Sequence, residues 1–313
     1  MLSRVADSIY WMSRYLERAE NVARFIAVNV HLILDLGISP GEAQWLPLVT
    51  TSGDDATFAK LYKVPSAKNI IHFLTFDQRN PNSILSCICF ARENARTVRE
   101  IISSEMWEQL NELYHTVQKH SRKRRIDDVQ AFYSHIRTSS HLFTGLCENT
   151  MSHGEGWHFA RMGRMLERAD KTARILDVKY FLLLPGTEYV DSPYDAVEWG
   201  AVLKSANAFE MYRKHFHRVN YKDVADFLIF DKAFPRSMAH CVAATARSLD
   251  AITAELGIKV PAQTEMRQLQ DTLSSTSITT VLANGLHEFI DIFQFNLNIV
   301  DQAIYNSFLA LKS

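Results

Sequence analysis

The heptapeptide RYLERAE at residues 14–20 returns as RMLERAD at residues 164–170, a separation of 164 − 14 = 150 residues. Both copies continue into an Ala-Arg pair, at residues 23–24 and 173–174. In each copy the apolar residues recur three and four positions apart, which is the spacing of one face of an α-helix. The sequence therefore predicts two equivalent amphipathic helices, one early in the chain and one near its middle.

A second pair of repeated segments indicates an internal duplication. FLTFD at residues 73–77 returns as FLIFD at residues 227–231, a separation of 227 − 73 = 154 residues. The same separation joins four further pairs: Trp45 with Trp199, Pro81 with Pro235, Ser83 with Ser237, and Cys87 with Cys241. Because the segments follow one another in the same order, a duplicated unit explains them better than chance does. We expect a single domain over residues 1–313, built from halves 1–150 and 151–313 that are related by a pseudo-two-fold axis.

The whole chain has the pattern of an all-α protein, and we predict a multi-helix bundle. No stretch alternates apolar and polar residues over the length of a strand, and no Asn-Gly or Asp-Gly turn separates two strand-like runs. The apolar spacing and the proline positions predict helices over residues 3–36, 41–52, 54–63, 66–76, 81–104, 106–120, 126–150, 155–184, 193–217, 221–229, 235–256, 263–274 and 277–311.

Particular residues are predicted to begin or end these helices. Three pairs predict an N-cap followed by a proline in the first turn: Ser39-Pro40, Asn80-Pro81 and Ser192-Pro193. Leu184-Pro185-Gly186 predicts a helix end. Asp77 and Asp231, four residues before the prolines of the repeated segments, are predicted to cap the helices that follow. Asn284-Gly285 lies inside the apolar pattern of the last segment, so that segment is predicted to be one continuous helix.

Composition and charge exclude several classes of partner. The chain has 313 residues, a net charge of −1, a pI near 6.9 and 47% apolar residues. Such a chain can bury a core, and it has no global field that favours nucleic acid or an anionic membrane surface. The first residues lack the apolar core of a signal peptide, and the densest apolar run, residues 180–184, is too short to cross a bilayer. We expect neither a nucleic-acid partner nor a membrane association.

The cysteine and histidine positions predict no metal and no disulfide. Cys87, Cys89, Cys147 and Cys241 form no Cys-x-x-Cys pair, which favours buried thiols in a reducing, cytoplasmic compartment. HGEGWH at residues 153–158 contains metal-binding residue types, but its spacing fits no zinc pattern. The sequence has no Gly-rich phosphate loop and no nucleophile elbow, so we predict no cofactor.

The polar residues of both repeated helices fall on one face. Because each residue of an α-helix turns by about 100°, five polar residues of the first copy lie within about 120° of the circumference. They are Arg14, Glu17, Arg18, Asn21 and Arg24. The second copy has the same pattern in Arg161, Arg164, Glu167, Arg168, Lys171 and Arg174. A third basic face is predicted from Arg92, Arg96 and Arg99, which are spaced at i, i+4 and i+7.

Three interpretations of these faces are open. They could be solvated surface, on which pairs such as Glu20–Arg24 and Asp170–Arg174 contribute about 0.3–0.5 kcal/mol each. They could be a buried Arg–Glu network that joins the two halves. They could also bind a ligand, since arginine suits bidentate capture of a carboxylate or phosphate and the glutamates would orient the guanidinium groups. We predict the ligand site, formed by Arg14, Glu17, Arg18, Asn21, Arg24, Arg92, Arg96, Arg164, Glu167, Arg168 and Arg174.

These motifs resemble those of the bacterial alpha-E family, which is named for a helical domain with a Glu-Arg motif. The resemblance runs nearly end to end. It is carried by residues 1–24, by NPNS at 80–83 with ARENAR at 91–96, by Trp107 and Asn111, by GWHF at 156–159 with the second motif at 163–170, and by Trp199, Tyr212-Arg213 and residues 235–237. One departure separates the halves: Ala244 and Ala246-Arg247 stand where the first half has its Arg92–Arg96 face, so the predicted site is asymmetric.

The resemblance implies an association with circularly permuted ATP-grasp amidoligases and transglutaminase-like peptidases, in ATP-dependent peptide synthesis or modification. It assigns no reaction to the domain itself, and no catalytic residue is predicted. Two hypotheses follow. In the first, the chain is an accessory or binding module that offers an Arg/Glu-lined groove to a peptide or to its ATP-grasp partner. In the second, it is an enzyme that uses Glu17 or Glu167 as acid or base beside arginines that hold the substrate.

Overall fold

The fold is all-α, as predicted. The computed structural model describes residues 1–36, 45–123, 126–183 and 193–310, and every regular element within these ranges is a helix. The helices are α1 Ser3–Leu36, α2 Leu46–Ser52, α3 Asp55–Leu61, α4 Ala67–Thr75, α5 Ile84–Thr97, α6 Ser104–Lys123, α7 Val129–Thr150, α8 Glu155–Leu183, α9 Pro193–Ser205, α10 Phe209–His215, α11 Tyr221–Phe230, α12 Met238–Leu256, α13 Pro261–Ser275, α14 Ile278–Asn284 and α15 Leu286–Ile304, followed by a π-helical turn at Tyr305–Leu309. None of these described helices is long and apolar enough to span a membrane.

Most predicted helices are confirmed to within a few residues at each end. The first, predicted over residues 3–36, is α1, and α9 begins at Pro193 as the proline signal indicates. The predicted signals at Ser39-Pro40, Leu184-Pro185-Gly186 and Ser192 lie outside the described residues.

Helix α5 begins later than predicted. Its N-cap is Ser83, whose hydroxyl accepts a hydrogen bond from the backbone N–H of Ser86 at 3.2 Å. The side-chain carbonyl of Asn80 accepts from the N–H of Asn82 at 2.9 Å, in the turn before the helix. The prediction that Asn80-Pro81 opens the helix is wrong because the serine hydroxyl three residues later satisfies the first free N–H groups.

The two aspartates of the repeated segments do not cap helices, which corrects a second prediction. Asp77 accepts from both the backbone N–H and the guanidinium of Arg79. Asp231 accepts from the backbone N–H of Phe234 at 2.6 Å, and the N-cap of α12 is Ser237. Both carboxylates therefore close the turn that leads into the cap, a local arrangement typical of aspartate.

Two segments predicted as single helices are each divided by one residue with positive φ. Residues 193–217 break at Asn207, where φ is 52°, and residues 277–311 break at Gly285, where φ is 103°. Asparagine tolerates the left-handed region and glycine adopts it without a steric cost, so the chain can turn at both places.

The chain divides into two compact units, which we describe separately. The first comprises Met1–Arg164 and a short C-terminal piece that begins at Leu309. In it α1 packs along α5 and α7, and α6 packs against both of these helices. Because neighbours cover α1 on more than one side, residues such as Ile9, Met12 and Ile26 are fully buried.

The second unit comprises Met165–Phe308. Helix α12 packs against α11 and α13, α13 packs against α15, and α14 lies against α11 and α15. Its core includes the fully buried side chains of Trp199 and Tyr212.

The prediction of buried thiols is confirmed for three of the four cysteines. Cys87, Cys147 and Cys241 are buried and Cys89 is half-buried, and none of these four described cysteines forms a disulfide. Burial, the largest effect, raises the pKa of Cys147 to about 11, so this thiol stays protonated near neutral pH.

Gly163 allows α8 to approach α1 closely in the first unit. A Cβ added to Gly163 would clash with the backbone carbonyl oxygen of Tyr10. Backbone cannot give way as the end of a flexible side chain can, so any larger residue would force the helices apart.

We expect Gly163→Ala to lower the free energy of unfolding by about 1–3 kcal/mol through overpacking. The matched control is Gly145→Ala on α7, where an added Cβ meets nothing within 4 Å. The control is expected to be neutral or to stabilise by up to about 1 kcal/mol, because alanine favours a helix over glycine. Thermal and urea unfolding measure both, and equal stability of the two variants would contradict the close approach.

Candidate functional site

The motif face of α1 is buried, so its interpretation as solvated surface is wrong. The exposed fraction is 9% for Arg14, 3% for Glu17, 2% for Asn21 and 2% for Arg24, and Arg18 keeps partial exposure. Charged side chains are rarely buried unless they are paired. The face therefore belongs to the interior of the first unit.

Glu20 and Arg24 form an ion pair that is almost completely buried, at 0% and 2% side-chain exposure. The ring of His141 on α7 is also close, with Nε2 3.4 Å from Glu20 Oε1. The expectation of a weak surface pair is thus wrong, because desolvation changes the energetics. Removing one partner of a buried pair leaves the other charge without compensation, which costs far more than the pair contributes at a surface.

Local contacts orient the other motif side chains of α1. The guanidinium of Arg14 lies 5.0 Å from the ring centroid of Trp11 and 5.6 Å from that of Tyr10. The side-chain amide of Asn21 donates to the backbone carbonyl of Glu17 at 2.7 Å and to its carboxylate at 3.3 Å. These contacts fix the rotamers before any ligand arrives, which is typical of a preorganised site and of a structural network alike.

The structure brings Arg164 of the second motif close to Glu17 of the first. Both line a cavity of about 10 Å³ together with Ser13, Leu16, Ser140, Phe143 and Thr144. Such a volume holds about one water molecule, so it is too small for a carboxylate-bearing ligand. Arg164 is 7% exposed and donates to Glu148 Oε1 at 2.8 Å.

In each unit, the second arginine of the motif reaches the loop before a capped helix. Arg18 Nη1 donates to the side-chain carbonyl of Asn82 at 2.6 Å, and the amide of Asn82 donates to Asp54 at 2.7 Å. Arg168 Nη1 donates to the backbone carbonyl of Pro235 at 3.3 Å. The sequence does not predict the part played by Asp54, since its contact with Asn82 joins residues 28 positions apart and follows no helical spacing.

The remaining motif residues of α8 lie in the second unit. Glu167 is fully buried, and Lys171 Nζ lies 3.8 Å from its carboxylate. Arg174 Nε lies 2.9 Å from Asp170 Oδ2, as the i,i+4 spacing predicts. Burial acts to raise the pKa of Asp170, but the nearby charges of Lys171 and Arg174 outweigh it and hold this pKa below its ordinary value.

The prediction that Arg92, Arg96 and Arg99 share one helix is confirmed for the first two only. Arg92 and Arg96 lie on α5, whereas Arg99 lies beyond its end. The guanidinium groups of Arg92 and Arg99 nevertheless lie over the same ring, 5.4 Å and 4.8 Å from the centroid of Trp107. Arg96 is 62% exposed and pairs with Glu93 at 2.9 Å. This cluster leaves cationic groups accessible to a partner.

One cluster of metal-binding residue types occurs in the described part of the chain, and the sequence does not predict it because Asp177 lies 110 residues before His287. Asp177, His287 and Asp291 bring one ligand atom each within 4.8 Å of one another. However, Nδ1 of His287 lies 2.7 Å from Asp177, and Nε2 lies 3.4 Å from Asp291. Carboxylates at both ring nitrogens suit a protonated imidazole, which does not ligate metal. His153, from the segment discounted as a zinc motif, stacks on Trp157.

The His287 pair makes stability depend on pH. The hydrogen bond that His287 donates to Asp177, the largest effect, raises the pKa of His287 above 6.5. This contribution is therefore fully present below the unfolded-state pKa and is lost as pH rises through the higher folded-state value. We expect the midpoint of thermal unfolding to fall less between about pH 6 and 8 in His287→Asn than in the wild type. His217→Asn, at an exposed position, is the control; a wild-type slope retained in His287→Asn would contradict the assignment.

We expect Arg24→Ala to lower the free energy of unfolding by about 3–5 kcal/mol, because it leaves Glu20 buried without its ion-pair partner. Arg96→Ala is the matched control at an exposed ion pair, with an expected loss of about 0–1 kcal/mol. Urea unfolding compares the two. If Arg24→Ala were as stable as the control, the motif face would not be a buried network.

The comparisons with known proteins agree with the predicted family. The model of the Alpha-E family, described as a predicted alpha-helical domain with a conserved ER motif, matches residues 1–309. Uncharacterized proteins of Mycobacterium bovis and of two Mycobacterium tuberculosis strains are each 22% identical over 256 residues, covering 76% of this chain and 28% of each relative. The chain thus spans little more than a quarter of the length of these curated relatives. No solved structure matches significantly. By the family match over nearly its whole length, the chain belongs to the Alpha-E family of helical domains with an ER motif.

Proposed function

We propose that the chain is a binding module of an ATP-grasp amidoligase and transglutaminase-like system for peptide synthesis or modification. Its accessible arginines would bind a carboxylate- or phosphate-bearing ligand, or an acidic surface of the ATP-grasp partner. The observation that carries this proposal is that the glutamates and the arginines of the predicted site differ in exposure. The exposed fraction is 3% for Glu17 and 0% for Glu167, whereas several arginines keep contact with solvent. A general acid or base must come within hydrogen-bond reach of its substrate, so the burial favours binding over catalysis.

The accessible members of the predicted site define the proposed binding surface of each unit taken by itself. They are Arg18, Arg92 and Arg96 in the first unit and Arg168 and Arg174 in the second. Arginine at such positions offers planar, bidentate recognition of carboxylate or phosphate. The buried members, Arg14, Glu17, Asn21, Arg24, Arg164 and Glu167, would hold the helices that carry this surface.

The length of the relatives supports a modular role. The aligned segment is 28% of each mycobacterial protein, so in those proteins an Alpha-E-like segment is joined to a much longer stretch of chain. A domain joined to further chain is expected to offer a contact surface to it, since domain interfaces within a chain resemble transient protein–protein interfaces.

We further propose that the two halves arose by duplication and are related by a pseudo-two-fold axis. Local geometry at repeated positions supports this. Serine caps both α5 and α12. The thiols of Cys87 and Cys241 each lie 3.7 Å from a proline carbonyl six residues earlier. Independent origins would not be expected to reproduce both details at one sequence separation.

The binding role is tested with Arg92→Gln and Arg96→Gln in the full chain. We expect each to weaken binding to the ATP-grasp protein of the same organism by about 10- to 150-fold, since a charge-assisted contact is worth about 1.5–3 kcal/mol, with little change in the unfolding midpoint. Arg122→Gln, exposed at the end of α6, is the control, and isothermal titration measures all three. Binding of both variants at the control's affinity would contradict the proposed surface.

The enzyme hypothesis predicts a different outcome. Glu17→Gln keeps the shape of the side chain and removes its acid–base function. If this variant folded and bound its partner normally but abolished turnover in the reconstituted system, Glu17 would be catalytic. The binding proposal predicts that turnover persists wherever folding and binding persist.

A further inference from the structure

The second unit contains a large open cavity that lies apart from the motif arginines. It has a volume of about 710 Å³ and is lined by residues of α11, α12, the end of α13 and the start of α14. Pockets of about 300–1,000 Å³ are the usual size for small-molecule ligands. Its volume is therefore sufficient for a ligand, in contrast to the crevice beside Glu17, which has room for one water.

The floor of this cavity is apolar and its rim carries both signs of charge. Phe230, Val242 and Leu273 form part of the floor. Asp226 lies on α11 and Lys232 follows the end of this helix. Arg247 lies on α12 and Asp271 on α13. This makes two cations and two carboxylates around one apolar surface.

The four charged side chains of the rim differ from those of the motif helices in their hydrogen bonds and ion pairs. No ion pair or hydrogen bond within the described ranges engages the side chain of Asp226, Lys232, Arg247 or Asp271. Burial, the largest effect, raises the pKa of Asp226 above its ordinary value. Lys222, one turn earlier on α11, acts to lower this pKa, but burial and the neighbouring aspartates outweigh it. A cationic group of a ligand beside Asp226 would therefore be favoured.

We propose that this cavity binds a small zwitterion with an apolar body, either an apolar amino acid or a short peptide with free termini. The ligand's ammonium group would pair with Asp226 or Asp271, its carboxylate with Arg247 or Lys232, and its side chain would cover Phe230 and Leu273. A simple anion would be repelled by the two carboxylates of the rim, and a simple cation would be repelled by its arginine and lysine. A ligand with both charges satisfies both pairs, and its apolar part gains about 25 cal/mol for each Å² removed from water.

The first test needs no variant. The wild-type chain is titrated calorimetrically with the tripeptide Leu-Ala-Leu, with its N-acetylated form, with its C-terminal amide, and with free leucine. We expect the free tripeptide or leucine to bind, and each blocked form to bind about tenfold more weakly, because each block removes one charge-assisted contact. Tight binding of leucine alone would identify an amino-acid site, and tight binding of the tripeptide a peptide site. Absence of binding by both, or equal binding of free and blocked forms, would overturn the proposal.

The second test assigns the charges. Asp226→Asn is expected to weaken binding of the unblocked ligand by about tenfold. N-acetylation should then have no further effect on this variant, because the contact between the ammonium group and the carboxylate is already lost. Arg247→Gln is expected to do the same for the C-terminal amide. The matched control is Arg267→Gln, at an exposed position of α13 outside the cavity lining. A control that weakens binding as much as Arg247→Gln would overturn the assignment. Both rim substitutions lie outside the motif arginines, so the outcome is independent of the proposed binding to an ATP-grasp partner.

Discussion

Burial of charge along α1 is the constraint on which the first unit depends. The pair Glu20–Arg24 lies in the interior, and desolvating two ions is costly unless their mutual geometry and further hydrogen bonds compensate. That requirement constrains the positions of α7 and of the loop before α5. Helix α7 places His141 beside Glu20, and the loop places Asn82 beside Arg18. A helix with an apolar face alone could rotate or slide against its neighbours at small cost. A helix with specific buried polar partners is held in one register.

This constraint would let one motif serve both the structure and the proposed binding. The glutamates and the first arginine of each copy are largely withdrawn from solvent, whereas Arg18 and Arg168 reach outward to the loops that precede α5 and α12. Those loops end in the serine caps from which the next helices start. The motif helices are thus hydrogen-bonded to the loops from which α5 and α12 start. Under the proposed duplication, the Arg–Glu pattern would recur in both halves because it positions the accessible arginines.

The sequence predicts the elements well and their surroundings poorly. The angular placement of Arg14, Glu17 and Arg24 on one side of a helix follows from the helical period alone. Their burial does not, because a helical wheel shows which residues share a face and cannot show that α5 and α7 cover α1 on more than one side. The assumption that a polar face meets solvent holds for a surface helix, and α1 is a central one.

The other differences have equally local causes. Asn80-Pro81 looks like a helix start, but Ser83 is better placed to accept the free N–H groups of α5. Gly285 sits within an apolar pattern of helical period, and only its backbone angle reveals the break. The rim of the large cavity joins Asp226, Arg247 and Asp271 from three helices. No spacing within one helix can predict that proximity, since it depends on how α11, α12 and α13 pack.

The central claim, that the motif is a buried network of mutually dependent charges, is tested most directly by a double-mutant cycle on Glu20 and Arg24. The free energy of unfolding is measured for Glu20→Leu, for Arg24→Met and for the double variant. Each single change leaves one buried charge uncompensated at a cost of about 3–5 kcal/mol, whereas the double change removes both charges. The account predicts that the double variant is more stable than either single variant. Losses that simply add would contradict it.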